Sequence, residues 1–389
     1  MSPTDDTASP APQGLRIVHV DSERGFSGGE VQVFLLLERL GALGYQTSLI
    51  CPPGSRSAAE AERHGIACVN VRMRNDLDLP AIAALARAFR RQRAQIVHLH
   101  TGRANWLGGL AARLVGVPAV SSRRMERQVK RNWRTRLLYR HLLQRVVAIS
   151  PAVESCLLAA GVPAERLQII PEGVERSRLQ PDKGRTATRS ALGAEPEDVV
   201  VLALAALVRR KGLDVLLDAL ALLAAERQRP RVWIAGDGPE RAALTAQIAA
   251  LGLGDQVQLL GQRLDAPDLL AACDLFVLPS RQEGLGVSAL EAMAVGRPVV
   301  ASAVGGLGFS VVAERTGLLV PPEDPSALAA ALRRLLRDPE LRARLGAAGP
   351  KRVAEGFLAE QMVAAHDQLY RSVLDEWRGK PRNNVRRKA

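Results

Sequence analysis

Aromatic residues make up only 3% of this 389-residue chain, and there are four cysteines. Cys51, Cys68, Cys156 and Cys273 are scattered with no paired spacing. Neither a disulfide framework nor a zinc site is expected, and free thiols in a reducing compartment fit. Sparse aromatics leave no platform for stacking bases, which argues against a nucleic-acid-binding protein. The longest uncharged apolar run, Val199 to Val208, is far short of the roughly 20 residues that cross a bilayer as a helix. Residues 1–13 lack an apolar stretch, so they read as a disordered leader and no signal peptide is expected. Neither an Asp-x-Asp nor a His-rich cluster is read in the chain, so no metal or other cofactor is expected.

What the chain has in excess is positive charge, a net +13. Residues 123–145 hold nine Lys/Arg against one acid, Glu126, and the tail after Trp377 adds six more basic residues. Such a charge calls for an anionic partner. Because segment 123–145 mixes its cations with Trp133, Leu137, Leu138, Tyr139, Leu142 and Leu143, it reads as a face for an anionic membrane.

Length alone predicts two domains. Short β-rich runs alternate with Ala/Leu/Arg helical patterns, the signature of parallel sheets built from βαβ units. Strands are expected at Arg16–Val20, Thr47–Cys51, Ala67–Val71, Ile96–His100, Ala119–Ser122 and Val146–Ser150. A second series covers Val199–Ala205, Val232–Gly236, Val257–Leu260, Leu275–Leu278, Val299–Ala301 and Leu318–Val320. The polar stretch 176–198 between them reads as a linker. The fold class is therefore α/β, two Rossmann-like doubly wound domains facing across a cleft, where such folds place ligands.

Chemistry concentrates in loops at strand ends. Glu283-Gly284-Leu285-Gly286-Val287-Ser288-Ala289-Leu290-Glu291 follows the strand Leu275–Leu278. Free N–H groups at a helix start seat anions, whereas carboxylates beside them accept hydrogen bonds from hydroxyls. A phosphate seat flanked by hydroxyl acceptors describes a nucleotide-sugar pocket. Glu291 is expected about two turns into the helix. Arg209-Arg210-Lys211 ends another strand and suits a diphosphate. Gly28-Gly29 sits in a glycine-bearing βα loop, and Gly236 opens a tight turn. His98-Leu99-His100 closes a strand. Alternation puts its imidazoles on opposite faces, leaving His100 as the cleft candidate.

With these motifs in place, the chain resembles the retaining family 4 glycosyltransferases of the GT-B fold over residues 15–375. The most specific match is EGLGVSALEAMAVGRPVVAS, which contains the E-x7-E spacing; SGGE (27–30), VHLH (97–100), LVRRKGLDVLLDAL (207–220), AGDGPE (235–240) and GLLVPPED (317–324) support it. The resemblance implies an N-terminal acceptor-side domain over 14–178, a nucleotide-sugar domain over 190–362, and a C-terminal helix near 363–378 that returns to the first domain. It implies Glu283, Lys211 and His100 at the reacting centre. Glu283 would bind the donor sugar's hydroxyls and Glu291 the ribose. Gly284, Leu285, Gly286 and Val287 would offer backbone to sugar or phosphate. Gly28 and Gly29 would line the cleft, with Gly236 close by, and Gln262-Arg263 would read the base. At Ala206 this chain departs from an arginine usual in the family, which leaves Arg209 or Arg210 to supply that charge. Glu172-Gly173-Val174-Glu175 likewise stands for the usual Asn-Gly-Val-Asp.

The implied reaction moves a sugar from a nucleotide-sugar donor, a UDP-sugar by expectation, to a cell-surface glycan or lipid-linked acceptor by front-face substitution. No metal takes part, and the expected place is the cytoplasm, against the inner face of the membrane. The alternative is a soluble transferase that makes a small glycoside or disaccharide.

Overall fold

A computed structural model describes residues 14–225 and 229–379. The leader 1–13 and most of the basic tail lie outside the described residues. Two parallel sheets organise the chain. The first contains β1 (Arg16–Val20), β2 (Gln46–Cys51), β3 (Ala67–Asn70), β4 (Ile96–Leu99), β5 (Ala119–Arg123), β6 (Arg145–Ala148) and β7 (Leu167–Ile169), in the order β3-β2-β1-β4-β5-β6-β7. The second contains β8 (Val200–Leu204), β9 (Arg231–Ala235), β10 (Val257–Gly261), β11 (Leu275–Leu278), β12 (Val299–Ser302) and β13 (Gly317–Val320), in the order β10-β9-β8-β11-β12-β13. Strand order reverses between β1 and β4 and between β8 and β11. These switch points are where doubly wound sheets open crevices.

Helices cover both faces of each sheet, so the strands read as near-continuous apolar runs. β4 and β11 are buried along their whole length. Local signals set the helix starts. Asp78 accepts from the Ala81 N–H at 3.1 Å, with Pro80 in the first turn, and so starts Leu79–Arg91. The C-terminal helix Ala359–Gly379 packs Met362, Val363, Tyr370 and Val373 into the first sheet's core beside Ile17, Leu36, Leu40 and Val147. No helix among the described residues is long and apolar enough to cross a membrane.

Two expectations change. Strand β7 is added at the edge, and its three residues are too few for a periodic signal. The stretch 176–198 is not a plain linker, since it holds the helix Gly184–Ala191. Its buried Arg189 donates to the carbonyls of Ala272, Glu195 and Asp198 and pairs with Asp274 at 2.6 Å. Polar composition here serves a buried network rather than solvent, because a guanidinium can satisfy several carbonyls at once.

Candidate active site

The carboxyl ends of both sheets face a cleft of about 780 Å³. Its C-terminal wall begins where β11 ends. The loop from Pro279 runs to Gly286, which takes φ +83 as the cap of the helix Val287–Ala294. A left-handed residue at that point is what turns the helix N-terminus into the cleft. The loop is pinned from behind. Leu285 is buried, Ser310 Oγ donates to its carbonyl at 3.0 Å, and the Gly306 N–H donates to the Glu283 carbonyl at 3.0 Å. Glu283 forms an ion pair with Lys211 Nζ and accepts from Ser280 Oγ at 3.3 Å. Only 11% of each partner's side chain in the ion pair is exposed. Glu291 sits one turn into the helix, not two, because the helix begins at Val287. Burial pushes its carboxyl up to about 7.

The N-terminal wall is built differently. Ser27 caps the helix Gly28–Ala42, and Glu30 Oε2 accepts from the Ser27 N–H at 2.6 Å. This capping box was legible as Ser27-x-x-Glu30. Asp21, just past β1, is buried. Desolvation raises it to about 7 despite the Glu23 N–H donated to it at 2.9 Å. Behind these loops lies a cluster of four of the chain's six histidines. His19 Nδ1 meets His100 Nε2 at 2.9 Å. His98 bonds the Tyr370 hydroxyl at 2.6 Å and Ser122 Oγ at 2.8 Å. His366 Nδ1 donates to the Met362 carbonyl at 2.8 Å. Burial lowers His19 to about 3 and His366 to about 4, and holds His98 and His100 well below the ordinary range. All four are neutral at physiological pH.

This cluster corrects two expectations. His98 and His100 do not point to opposite faces, since their ring centroids are 4.2 Å apart. β4 ends at Leu99, so His100 has left the pleat that alternation assumes. The chain also does have a histidine cluster. The ring nitrogens of His19, His98 and His100 lie within 4.8 Å of one another, the one such metal-like group among the described residues. Hydrogen bonds already engage a nitrogen of each, and the Arg124 guanidinium, 3.3 Å from His100 Nδ1, repels a cation. An Asp-x-Asp triplet, expected to be absent, does occur at Asp76-Leu77-Asp78, but it lies outside the cleft lining, with Asp76 paired to Arg134 at 2.8 Å and Asp78 capping its helix.

The cleft gathers Gly28, Gly29, His100, Arg210, Lys211, Glu283, Gly284, Leu285, Gly286, Val287 and Glu291. It leaves out Arg209, Gly236, Gln262 and Arg263. Arg209 is exposed and offers its carbonyl to Arg281, Gln262 accepts from Arg56 at 3.4 Å, and Arg263 pairs with Asp265 at 2.7 Å. Of the two candidate arginines, Arg210 is the one at the cleft. Asp21, Arg124, Glu126 and Asn105 also line it, though no sequence motif marks them. Arg124 lay hidden in the basic run of 123–145, whose composition favoured an outward face; here its Nε is 2.6 Å from Glu172 Oε1.

Two facing Rossmann-like units, with a glycine-hinged glutamate loop on one wall, define a glycosyltransferase of the GT-B class. Residues 184–352 match the profile described as glycosyl transferases group 1, and residues 26–178 the profile described as glycosyltransferase family 4. The lipopolysaccharide core biosynthesis mannosyltransferase LpsB of Rhizobium meliloti is 33% identical over 53% of this chain and 61% of its own length. The D-inositol 3-phosphate glycosyltransferase of Kineococcus radiotolerans is 33% identical over 72% of each chain. Among solved structures, Anabaena HepE in complex with UDP superposes with a TM-score of 0.80 at 23% identity, over 92% of this chain and 100% of that one. The chain belongs to glycosyltransferase family 4.

Proposed function

We propose that this glycosyltransferase moves a hexose from a nucleotide sugar, a UDP-sugar in the first instance, to a hydroxyl of a cell-surface glycan or lipid-linked acceptor, with retention. The observation that carries the reading is the C-terminal wall. A helix N-terminus opens into the cleft beside a buried Lys211–Glu283 pair, and an uncompensated Glu291 carboxyl stands one turn further on. Glu283 accepts from sugar hydroxyls, Glu291 from the ribose pair, and Lys211 and Arg210 face the diphosphate. Support for UDP comes from the HepE complex, and for a glycan acceptor from LpsB.

Retention proceeds by front-face substitution. The bond from the anomeric carbon to the diphosphate breaks, the acceptor oxygen bonds to that carbon from the same face, and the leaving phosphate takes the hydroxyl's proton. The protein contributes positioning and charge, each fixed donor being worth roughly 10²–10³ in rate. Lys211, Arg210 and the helix dipole neutralise the leaving group, so no metal enters the reaction.

A thermal-shift screen of UDP, GDP, ADP and their sugars tests the donor. A ligand at about 100 times its Kd stabilises by about 2.7 kcal/mol, so one nucleotide should raise the midpoint well above the others. Equal, negligible shifts for all would sink the reading. The membrane part of the acceptor proposal rests on segment 123–145: Tyr139, Leu142 and Leu143 turn into the core and do not belong to the expected face, but Trp133 is 69% and Met125 51% exposed, as are Arg131, Arg136 and Arg140. On this proposal the enzyme works against the cytoplasmic face of a membrane. Salt-sensitive binding to anionic but not neutral liposomes is expected. Indifference to lipid charge would favour the second reading, a small soluble acceptor, which the D-inositol 3-phosphate glycosyltransferase relative supports.

A further inference from the structure

The cleft is lined by seven carboxylates and four cations, so a diphosphate entering it needs its positive charge concentrated at one place. Three of the four cations are poorly suited to supply it alone. Lys211 is already paired with Glu283. Arg123 turns its Nη2 to the Arg127 carbonyl in its own loop at 2.9 Å. Arg210 is an exposed side chain, free to rotate into solvent. Arg124 is different. Its side chain is only 16% exposed, and two of its three nitrogens are fixed, Nε on Glu172 at 2.6 Å and Nη1 on His100 Nδ1 at 3.3 Å. Nη2 makes no hydrogen bond among the described residues.

The histidine cluster explains how that orientation is kept. Because Nη1 can only donate, His100 Nδ1 must accept, and its proton sits on Nε2. That proton is donated to His19 Nδ1, so His19 in turn carries its own proton on Nε2, a buried atom without a partner. The chain of imidazoles therefore holds one tautomer of His100. Both of its ring nitrogens are spent, and what the histidine presents toward the ligand space is the guanidinium it orients.

Arg124 also sits where two loops meet. A Cβ on Gly284 would overlap the Arg124 carbonyl, and one on Gly29 would lie 3.4 Å from Arg124 Cδ. The guanidinium thus enters from the N-terminal wall, between the helix start at Gly28 and the glycine loop of the opposite wall.

We infer that Arg124 binds the diphosphate of the nucleotide sugar from across the cleft, with His100 and Glu172 as its positioning residues. This rests on the donor reading above. Phosphate oxygens take the free Nη2 edge. Lys211 and the helix N-terminus take the other side, so the leaving group is held by both walls and binds well only when they face each other. His100 acts through Arg124 rather than on the sugar.

The test compares affinities for UDP and for uridine, which lacks the phosphates. Arg124→Met combined with Glu172→Gln removes the charge without leaving a buried carboxylate alone. It should weaken UDP about 10- to 100-fold, the range for charge-assisted hydrogen bonds, with uridine unchanged. Arg124→Lys should recover part of the loss, and His100→Ala should reproduce a smaller share of it. Three results overturn the assignment. UDP binding unchanged in the double variant would take Arg124 off the diphosphate. Equal weakening of UDP and uridine with a lowered melting point would make it structural. A wild-type protein that binds no nucleoside diphosphate would remove the donor reading itself, and this inference with it.

Discussion

Across one cleft, His100 and Lys211 show two ways to hold a polar side chain beside a ligand. On the N-terminal wall, buried imidazoles are neutral and bond one another, Tyr370, Ser122 and the main chain. These imidazoles are engaged within the protein, so they form a fixed support behind the Arg124–Glu172 pair of the same wall. On the C-terminal wall, Lys211 and Glu283 are charged and paired. A diphosphate and a sugar hydroxyl can replace each partner for the other, so that wall responds to its ligand. Neutral networks give position with little field, whereas ion pairs give field at a desolvation cost that only geometry repays.

The largest test breaks the charged wall. Lys211→Gln keeps a hydrogen-bond donor toward Glu283 but removes the charge proposed to meet the leaving phosphate. Turnover should fall by about 10²–10³ while circular dichroism stays native. A turnover within a few-fold of wild type would take Lys211 out of the mechanism.

Next comes the contact that joins the walls. In Gly284→Ala the new Cβ overlaps the Arg124 carbonyl and meets Ile149 Cδ1 at 3.0 Å. The walls must part slightly. Misplacement on the ångström scale costs up to about 10² in rate, so kcat/KM should drop ten- to a hundredfold, with a smaller loss of melting midpoint because Ile149 belongs to the buried core. Full activity would show that the walls need not touch in the reacting state.

The smallest effect is in the pH dependence of stability, where opposite signs are expected. Burial lowers His19 to about 3 and His366 to about 4. The unfolded chain then binds protons that the native histidines refuse, and stability is lost as pH falls below about 6.5. Glu291 and Asp21 are raised to about 7. They hold protons the unfolded chain has released, so their contribution is present at low pH and lost as pH rises from about 4 to about 7. Denaturant titrations between pH 5 and 8 should show Glu291→Gln removing roughly 1–2 kcal/mol of the neutral-side loss, after allowance for its partial exposure. His366→Gln should flatten the acid side. Identical pH profiles for the two variants and wild type would contradict both assignments.

Much of this architecture could be read in order along the chain. β1 and β11 fall on the residues their apolar runs mark, Arg16–Val20 and Leu275–Leu278. The spacing of Glu283 and Glu291 needed only a strand end, two glycines and a helix start, all local signals. Local pattern is silent where a residue's surroundings come from afar. His100 does line the cleft, but alternation does not apply to it because β4 stops one residue short, so it shares a cluster with His98. Polar composition with Pro181 and Pro196 makes 176–198 look like a linker, yet Arg189 in its helix is 4% exposed.

Charge, the βα alternation, the glutamate loop and the lysine turn were therefore set by the sequence itself, since each depends on neighbours within a few positions. The tertiary structure alone decided which way Arg124 points, that four histidines from β1, β4, the residue after β4 and the last helix share one cluster, and that Gly284 lies against the opposite wall. Those contacts join residues tens to hundreds of positions apart. Burial there sets both charge state and direction, and no local pattern encodes it.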